Sequence, residues 1–307
     1  MTKIKKSILV TGAHRSGTTW VGKMLAAAPH TSYVHEPFNI CNTSRVIVPP
    51  FTNWFQYISE ENGDKYEDSL KKILAHEYPL QNKLRKVKSF QQVATVAKEQ
   101  GQFLAHRVRN STPIVKDPIA VFSAAWLAET LNMNVLMMIR HPAAFCSSLK
   151  LKNWQYDFSN FLDQPLLMER YLGKFEGEIR EHAAENKDII SQAILLWNCI
   201  YSRISAYKDE HPDWLFLRHE DISTDPVGSF QTVYALLGLK FTPRVESTIL
   251  ASSGLHNPVE QQSDNEFIRN SKKNILNWQT RLTEAEILRI REGTAEVASQ
   301  FYSESEW

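Results

Sequence analysis

Short apolar runs alternate with amphipathic helical patterns along most of the chain. These runs have the length of strands and are too short for helices. They predict the strands Ser7–Thr11, Ser32–His35, Ile114–Lys116, Val135–Arg140 and Trp214–Arg218. Apolar runs without alternation are typical of parallel strands covered on both faces. The pattern therefore predicts an α/β fold, with a central parallel sheet flanked by helices.

Helical patterns follow several of these runs. Thr18–Ala28 follows the first strand, and Pro142–Leu151 follows the fourth, with its proline suited to a first helical turn. A longer helix is marked by apolar residues spaced four, three and four apart: Ala193, Trp197, Ile200 and Ile204. This spacing predicts that one face of the helix is buried.

Three predicted strands end in a titratable residue followed by proline: Glu36-Pro37, Asp117-Pro118 and His141-Pro142. Proline pushes the preceding residue toward extended geometry. Open α/β sheets bind ligands at the carboxyl edge, where these pairs would lie. Such prolines can also simply end strands, but the repetition favours a ligand-binding edge.

Two segments, about 40–105 and 153–187, fit no sheet strand and are rich in aromatic residues. We expect them to be helical insertions that form an acceptor pocket. The alternative is a set of surface helices whose aromatic side chains fill a satellite core. Since no repeat or Gly/Ser linker interrupts the chain, residues 1–307 are predicted to form a single domain.

Composition narrows the class of protein. Hydrophobic residues make up 43% and charged residues 22%, which indicates an ordinary globular chain. Lys plus Arg number 35 against 34 Asp plus Glu, so a broad nucleic-acid-binding surface is not expected. The longest uncharged stretches, Ile189–Ser202 among them, are too short to cross a bilayer, which favours a cytoplasmic protein. The widely spaced Cys41, Cys146 and Cys199 predict free thiols and no zinc site.

Residues 12–19, Gly-Ala-His-Arg-Ser-Gly-Thr-Thr, lie between the first strand and the first helix. The spacing of Gly12 and Gly17 is that of a P-loop, whose backbone N–H groups and helix N-terminus suit a phosphate or sulfate. P-loop nucleoside triphosphatases have a lysine at the position of Thr18. Here the cation is instead Arg15, inside the loop. A magnesium-dependent P-loop kinase of a small molecule is therefore the less favoured alternative.

The stretch from Arg15 to Trp20 resembles the 5′-phosphosulfate loop of sulfotransferases that use 3′-phosphoadenosine 5′-phosphosulfate (PAPS). Arg140-His141-Pro142, with Ser148 eight residues after the arginine, resembles their 3′-phosphate-binding strand and helix. The resemblance implies PAPS as sulfuryl donor, adenosine 3′,5′-bisphosphate (PAP) as product, and no metal. It also implies that donor-binding residues include Gly12, Arg15, Ser16, Gly17, Thr18, Thr19, Trp20 (on the adenine), Arg140 and Ser148.

Two weaker likenesses follow in the same order. Arg218–Asp221 resembles the family's strand with a Tyr-Glu-Asp run near the adenine, with His219 in place of the tyrosine. Phe267–Trp278 resembles the basic loop that closes over the 3′-phosphate, which adds Arg269 and Lys272 to the implied donor site. The acidic residues of the first run could instead cap a helix, and the lysines of the second could be a solvated face.

The resemblance also implies catalytic roles. Lys116 matches a lysine near the bridging oxygen of the donor, and Arg15 suits the leaving phosphate. Pro118 stands where the phenol and steroid branch has a histidine base. The segment 33–37 resembles the carbohydrate and tyrosyl-protein branch, in which a glutamate is the base, so Glu36 is favoured. His35 and Asp117 remain alternative bases.

The acceptor implied by this branch is a hydroxyl, less readily an amine, of a glycan, a glycolipid precursor or a small metabolite. A carbohydrate-containing partner is favoured, and aromatic side chains of the insertions could stack on sugar rings or pack against a phenol. A nucleotide-binding interaction protein without catalysis is the second alternative to the sulfotransferase.

Overall fold

A computed structural model of the chain describes residues 6–41, 47, 49–79, 89–254 and 271–307. At its centre is a five-stranded parallel sheet in the order β2-β3-β1-β4-β5. The strands are β1 (Ile8–Gly12), β2 (Thr31–His35), β3 (Thr112–Lys116), β4 (Asn134–Ile139) and β5 (Leu215–Arg218). The five predicted strands are confirmed, with ends shifted by one or two residues.

Helices flank the sheet on both faces. The longer ones are α1 (Thr18–Leu25), α2 (Asp64–Leu74), α3 (Phe90–Val108), α4 (Ala124–Thr130), α5 (Pro142–Lys152), α6 (Glu176–Ala184), α7 (Ile189–Glu210), α8 (His219–Thr224), α9 (Pro226–Leu236), α10 (Pro243–Ser253) and α11 (Glu284–Ala298). Shorter helical segments are Pro118–Ser123, Ser159–Leu162, Pro165–Leu167, Met168–Leu172, Gly173–Phe175, Ser271–Asn274, Trp278–Arg281 and Glu304–Glu306.

Helix α1 ends three residues before the predicted end at Ala28. The hydroxyl of Thr31 donates to the carbonyl oxygens of Ala26 and Ala28, at 2.9 and 2.7 Å. These bonds satisfy carbonyls that a longer helix would have bonded internally, and they turn the chain into β2. Helix α5 begins at Pro142 as predicted.

The core lies on both faces of the sheet because successive strand residues point to opposite sides. Leu9 and Met137 belong to the larger cluster, with α7, whose predicted apolar face is fully buried. Val10 and Leu136 face the smaller cluster, with α1, α9 and α10. The sheet is thus covered on both sides, as the apolar strands predict.

In the described parts of the two insertions there are helices and no strands. Most of their described aromatic side chains belong to the larger core cluster or pack against it, and Phe55, Phe158 and Phe161 are fully buried there. Trp154 is an exception, because it is 46% exposed. The aromatic residues therefore serve mainly to anchor the insertions to the domain.

No helix in the ranges described is long and apolar enough to cross a membrane. The three cysteines are free thiols; Cys41 is exposed, and Cys146 and Cys199 are buried.

The strand register brings the predicted site residues to one edge. His35 of β2 lies opposite Lys116 of β3, and Gly12 of β1 lies opposite Met138 of β4. Arg140 and Glu36 directly follow β4 and β2. The carboxyl ends of the four strands therefore meet where the candidate site was predicted.

Candidate active site

The loop after β1 needs both of its glycines. Gly12 has φ 143°, and a Cβ there would lie 2.4 Å from the carbonyl oxygen of Met138 in β4. Gly17 has φ 93°, and a Cβ there would lie 2.5 Å from a ring carbon of His219. Only glycine adopts such a positive φ without strain and has no Cβ to collide with a neighbour. These two positions therefore define the shape of the loop.

The rest of the loop leads into the N-terminus of α1. The Ser16 hydroxyl donates to the carbonyl oxygen of Ala13 at 2.5 Å, which tightens the turn. Thr18 is buried and Thr19 half-buried at the start of α1. Backbone N–H groups and the positive end of the helix dipole therefore converge at the loop, an arrangement that binds anions.

Arg15 joins the loop to the end of β4. It has φ 62°, and its Nε donates to the hydroxyl of Ser148 in α5 at 2.8 Å. A terminal nitrogen of Arg140 donates to the backbone carbonyl of Arg15. The structure thus brings together the loop arginine and the two residues that the sequence predicts at the 3′-phosphate.

Arg140 is held from behind by aromatic side chains. Its backbone N–H donates to the hydroxyl of Tyr201 at 3.0 Å, and the indole N–H of Trp197 donates to its carbonyl at 3.1 Å. The side chain is 6% exposed, and its Nε has no hydrogen-bond partner among the described residues. Burial lowers the pKa of Arg140, opposed by the nearby Glu220 carboxylate. An anion at this point would satisfy the unpaired donor.

Glu220 and Asp221 take part in structural contacts. The carboxylate of Glu220 accepts from the backbone N–H of His141 at 3.1 Å and from the Tyr302 hydroxyl at 3.0 Å. Asp221 lies 3.5 Å from Arg218. These contacts tie β5 and α8 to the end of β4 and so support Arg140.

Trp20 and His219 lie together beside the loop. The indole N–H of Trp20 donates to the hydroxyl of Ser252 at 2.9 Å, and its ring packs edge-on against Phe230 and His219, with ring centres 5.4 and 6.3 Å away. His219 is buried against Gly17. The structure therefore brings both predicted adenine-side residues to the loop.

The predicted basic segment is only partly described. Lys272 is exposed on the short helix Ser271–Asn274, which packs against α8. Arg269 lies outside the described residues. Its predicted role stays a prediction.

Glu36 and Lys116 form an ion pair at the ends of β2 and β3. The ammonium of Lys116, on a side chain that is 1% exposed, donates to Oε1 of Glu36, and the Asn39 amide donates to Oε2 at 2.8 Å. Burial works to raise the pKa of Glu36, but Lys116 and Asn39 outweigh it, so the pKa lies below its usual range. Glu36 is therefore an ionised carboxylate at neutral pH.

The backbone at Glu36 is strained, with φ 46° in a non-glycine residue, so the extended geometry expected before Pro37 was wrong at this position. Residues held in this region cluster at functional sites because the surrounding structure must enforce them. Here the enforcing contact is the Asp117 carboxylate, which accepts the backbone N–H groups of Phe38 and Ile119 at 2.6 and 3.2 Å. Asp117 is fully buried, and burial raises its pKa to about 7. It thus holds the turn after β2 and does not reach solvent.

His35 is the third candidate base, and it lies next to Glu36. Its Nε2 is 3.9 Å from Oε2 of Glu36, and its side chain is 52% exposed. Burial and the Lys116 ammonium lower the pKa of His35, opposed by Glu36. His35 is therefore neutral at pH 7 and accessible.

Two contributors to the site were not predicted from the sequence. Asn39 binds Glu36, and Gly22 in α1 makes room for Lys116, since a Cβ there would lie 2.9 and 3.0 Å from Cβ and Cγ of the lysine. A glycine inside a helical pattern often has a packing reason, so the position of Gly22 in the sequence could have indicated a close contact there. Nothing in the sequence singles out Asn39.

Within the described ranges, no group of three or more His, Cys, Asp or Glu side chains is placed to hold a metal ion.

A match to a solved structure with a TM-score above 0.5 supports the fold. The sulfotransferase domain of the Synechococcus PCC 7002 olefin synthase matches with a TM-score of 0.51 and 15% identity, over 97% of this chain and 94% of that chain. The sulfotransferase domain from the curacin biosynthetic pathway matches with a TM-score of 0.47 and 13% identity, over 96% of this chain and 99% of that chain. A mouse sulfotransferase complexed with PAP matches with a TM-score of 0.45 and 12% identity, over 98% of this chain and 86% of that chain. No protein of curated function matches the chain.

The sequence model described as the sulfotransferase family matches residues 7–243. This span is well over half of the 307 residues, and it includes the loop, the β2 and β3 ends and the β4–α5 segment. On that match the chain belongs to the sulfotransferase family.

Proposed function

We propose that the chain transfers a sulfuryl group from PAPS to a hydroxyl, less readily an amine, of a glycan, a glycolipid precursor or a small metabolite, without a metal. The observation that carries the proposal is the buried Arg140, whose Nε lacks a partner in the described part of the chain beside Ser148 and the loop. A terminal phosphate on the donor's ribose would pair with this guanidinium.

The 5′-phosphosulfate end of the donor would bind at the loop of residues 12–19. The amides of residues 12–19 and the hydroxyls of Thr18 and Thr19 would hold the 5′-phosphate, and Arg15 would leave Ser148 to stabilise the charge that develops there. Trp20 and His219 would border the adenine. Lys272, and Arg269 beyond the described residues, would close over the 3′-phosphate.

Transfer requires the acceptor to lose a proton. The acceptor oxygen attacks sulfur, its proton passes to the Glu36 carboxylate, and the bond from sulfur to the bridging oxygen breaks, leaving its electron pair on PAP. Lys116 would turn from Glu36 toward that bridging oxygen. Departure of its cation partner would raise the pKa of Glu36 and make it a better base.

Glu36 is favoured over its two neighbours as the base. Asp117 is fully buried with both oxygens bonded to backbone N–H groups. His35 is accessible, but it lacks the ion pair that would couple proton transfer to donor binding. A glutamate base is the arrangement of the carbohydrate and tyrosyl-protein branch, and we place the chain there.

A P-loop kinase and a non-catalytic nucleotide-binding protein are the alternatives. Thr18 in place of the phosphate-binding lysine disfavours the kinase, and the Glu36–Lys116 ion pair disfavours a protein without catalysis. The test is PAP release from PAPS with a panel of hydroxyl acceptors in EDTA, beside ATP hydrolysis in magnesium. The proposal expects acceptor-dependent PAP release in EDTA. Turnover of ATP alone, or of neither nucleotide, would contradict it.

A further inference from the structure

A cavity of about 260 Å³ lies along the outer edge of the sheet. One wall is β2 from Ser32 to His35, and the others are the end of α2 and the last turns of α3. Because β2 is the terminal strand of the sheet, this side of it pairs with no other strand among the described residues. The cavity is separate from the donor loop, which follows β1.

Rings and aliphatic groups make up most of the lining, to which Ser32 adds a hydroxyl and Gln102 an amide. Aromatic side chains come from Tyr33, Phe103 and three histidines, and aliphatic ones from Val34 and Ile73. No lysine, arginine, aspartate or glutamate from the described residues lines it. Burial and the neighbouring His106 lower the pKa of His76 to about 4, so that ring is neutral. Such a lining favours an apolar ligand body, since polar groups would lose their hydration without enough partners.

One end of the cavity lies next to the proposed base, which itself does not line it. His35 and Pro37, which line it, flank Glu36 on both sides in the sequence, and Nε2 of His35 is 3.9 Å from the Glu36 carboxylate. A ligand in the cavity would therefore have its near end beside Glu36.

We propose that this cavity is the acceptor pocket and that the acceptor is a small alcohol of one or two rings with a mainly apolar body. The inference rests on the proposed function and selects the small metabolite from its acceptor classes. A cavity of about 150 Å³ suffices for benzene, so 260 Å³ suits one or two rings and excludes an extended sugar chain. The reacting hydroxyl would lie at the His35 end and give its proton to Glu36 as its oxygen bonds to sulfur.

The test uses a filled pocket and a matched control on the same helix. Gln102 lines the cavity from α3, and Gln102→Trp would fill it. Leu104, two residues on, is 53% exposed and does not line the cavity, so Leu104→Trp is the control. The probes are 2-naphthol, cyclohexanol and, as a polar sugar, cellobiose. Saturation-transfer NMR in the presence of PAP measures binding, and mass spectrometry measures sulfuryl transfer from PAPS.

The proposal expects both ring alcohols to bind and to exceed cellobiose in kcat/KM by about tenfold or more. Gln102→Trp should raise KM for 2-naphthol about tenfold, with PAP affinity unchanged, whereas Leu104→Trp should behave as the unmodified chain. Failure of the ring alcohols to bind, preference for cellobiose, or indifference to Gln102→Trp would overturn the pocket. Binding of 2-naphthol without any transfer would keep the pocket and refute the proposed function.

Discussion

The Nε of Arg15 donates a hydrogen bond of 2.8 Å to the hydroxyl of Ser148, which lies 133 residues further along the chain. Arg15 belongs to the loop after β1, and Ser148 to the helix after β4. Because β1 and β4 are neighbours in the sheet, their following segments meet at its carboxyl edge. Two separate sequence motifs therefore meet at one place, the proposed donor site.

The substitution Ser148→Ala should weaken PAP binding by about 10- to 150-fold, because a hydrogen bond to a charged phosphate contributes about 1.5–3 kcal/mol. Ser147→Ala is the matched control. Ser147 is also buried in α5, and its hydroxyl has no partner among the described residues. Calorimetric titration with PAP should show a loss for the first variant only. An equal loss in both would remove Ser148 from the donor site.

Glu36→Gln should lower turnover by about a hundredfold or more while PAP affinity changes little, since the amide cannot accept the acceptor's proton. The measurement is kcat for sulfuryl transfer beside PAP affinity. Glu61→Gln is the control, because Glu61 is exposed and pairs with Arg170 away from the site. If Glu36→Gln kept near-normal turnover, the base would have to be His35.

Gly22→Ala tests the route of the Lys116 side chain. The added methyl would press on Cβ and Cγ of Lys116 and shift its ammonium from Glu36, so we expect turnover to fall about tenfold. Gly101→Ala in α3 meets nothing within 4 Å and should instead gain about 0.5–1 kcal/mol of stability from helix propensity. Unfolding in urea and kcat would be measured for both. Unchanged turnover in Gly22→Ala would show that Lys116 does not depend on this contact.

His141 should make the fold sensitive to acid. Its ring stacks on Trp278 and meets Tyr302 and Trp307 edge-on, and neither ring nitrogen has a partner in the described residues. Burial, opposed by the Glu306 carboxylate and helped by Arg218 and Arg140, lowers the pKa of His141 from 6.5 to about 4. Between these values the unfolded chain binds more protons, so stability falls as the pH falls from 6.5 toward 4.

His141→Phe should therefore lose less stability than the unmodified chain between pH 7.5 and 5, by on the order of 2 kcal/mol. Urea unfolding at the two pH values measures the difference. Equal losses in both proteins would mean that His141 is not the group that binds the proton on unfolding.

The sheet was predictable because its strands are apolar throughout, a pattern that follows from burial on both faces. The position of Glu36, Asp117 and His141 at the carboxyl edge was predictable because proline ends the strand. The extended backbone expected before proline is found at Asp117 and His141 but not at Glu36, which has φ 46°. Local sequence chemistry determines both features. The loop of residues 12–19 belongs with them, because its glycines sit between a strand and a helix.

Contacts between distant segments could not be predicted in this way. The Asn39 bond to Glu36, the room that Gly22 leaves for Lys116 and the cavity beside β2 depend on how the turn after β2 and helices α1, α2 and α3 pack. The position of the aromatic residues of the insertions could not be predicted from local sequence either. Their composition fits a stacking surface or a core, and only packing places Phe55 and Phe161 inside.

The most direct test of the central claim is calorimetric titration with PAP beside adenosine 5′-monophosphate, each with magnesium and with EDTA. If Arg140 and Ser148 bind a 3′-phosphate, PAP should bind at least about tenfold more tightly than the monophosphate, equally well in both buffers. Equal affinity for the two nucleotides, or binding that requires magnesium, would contradict the assignment of PAPS as the donor.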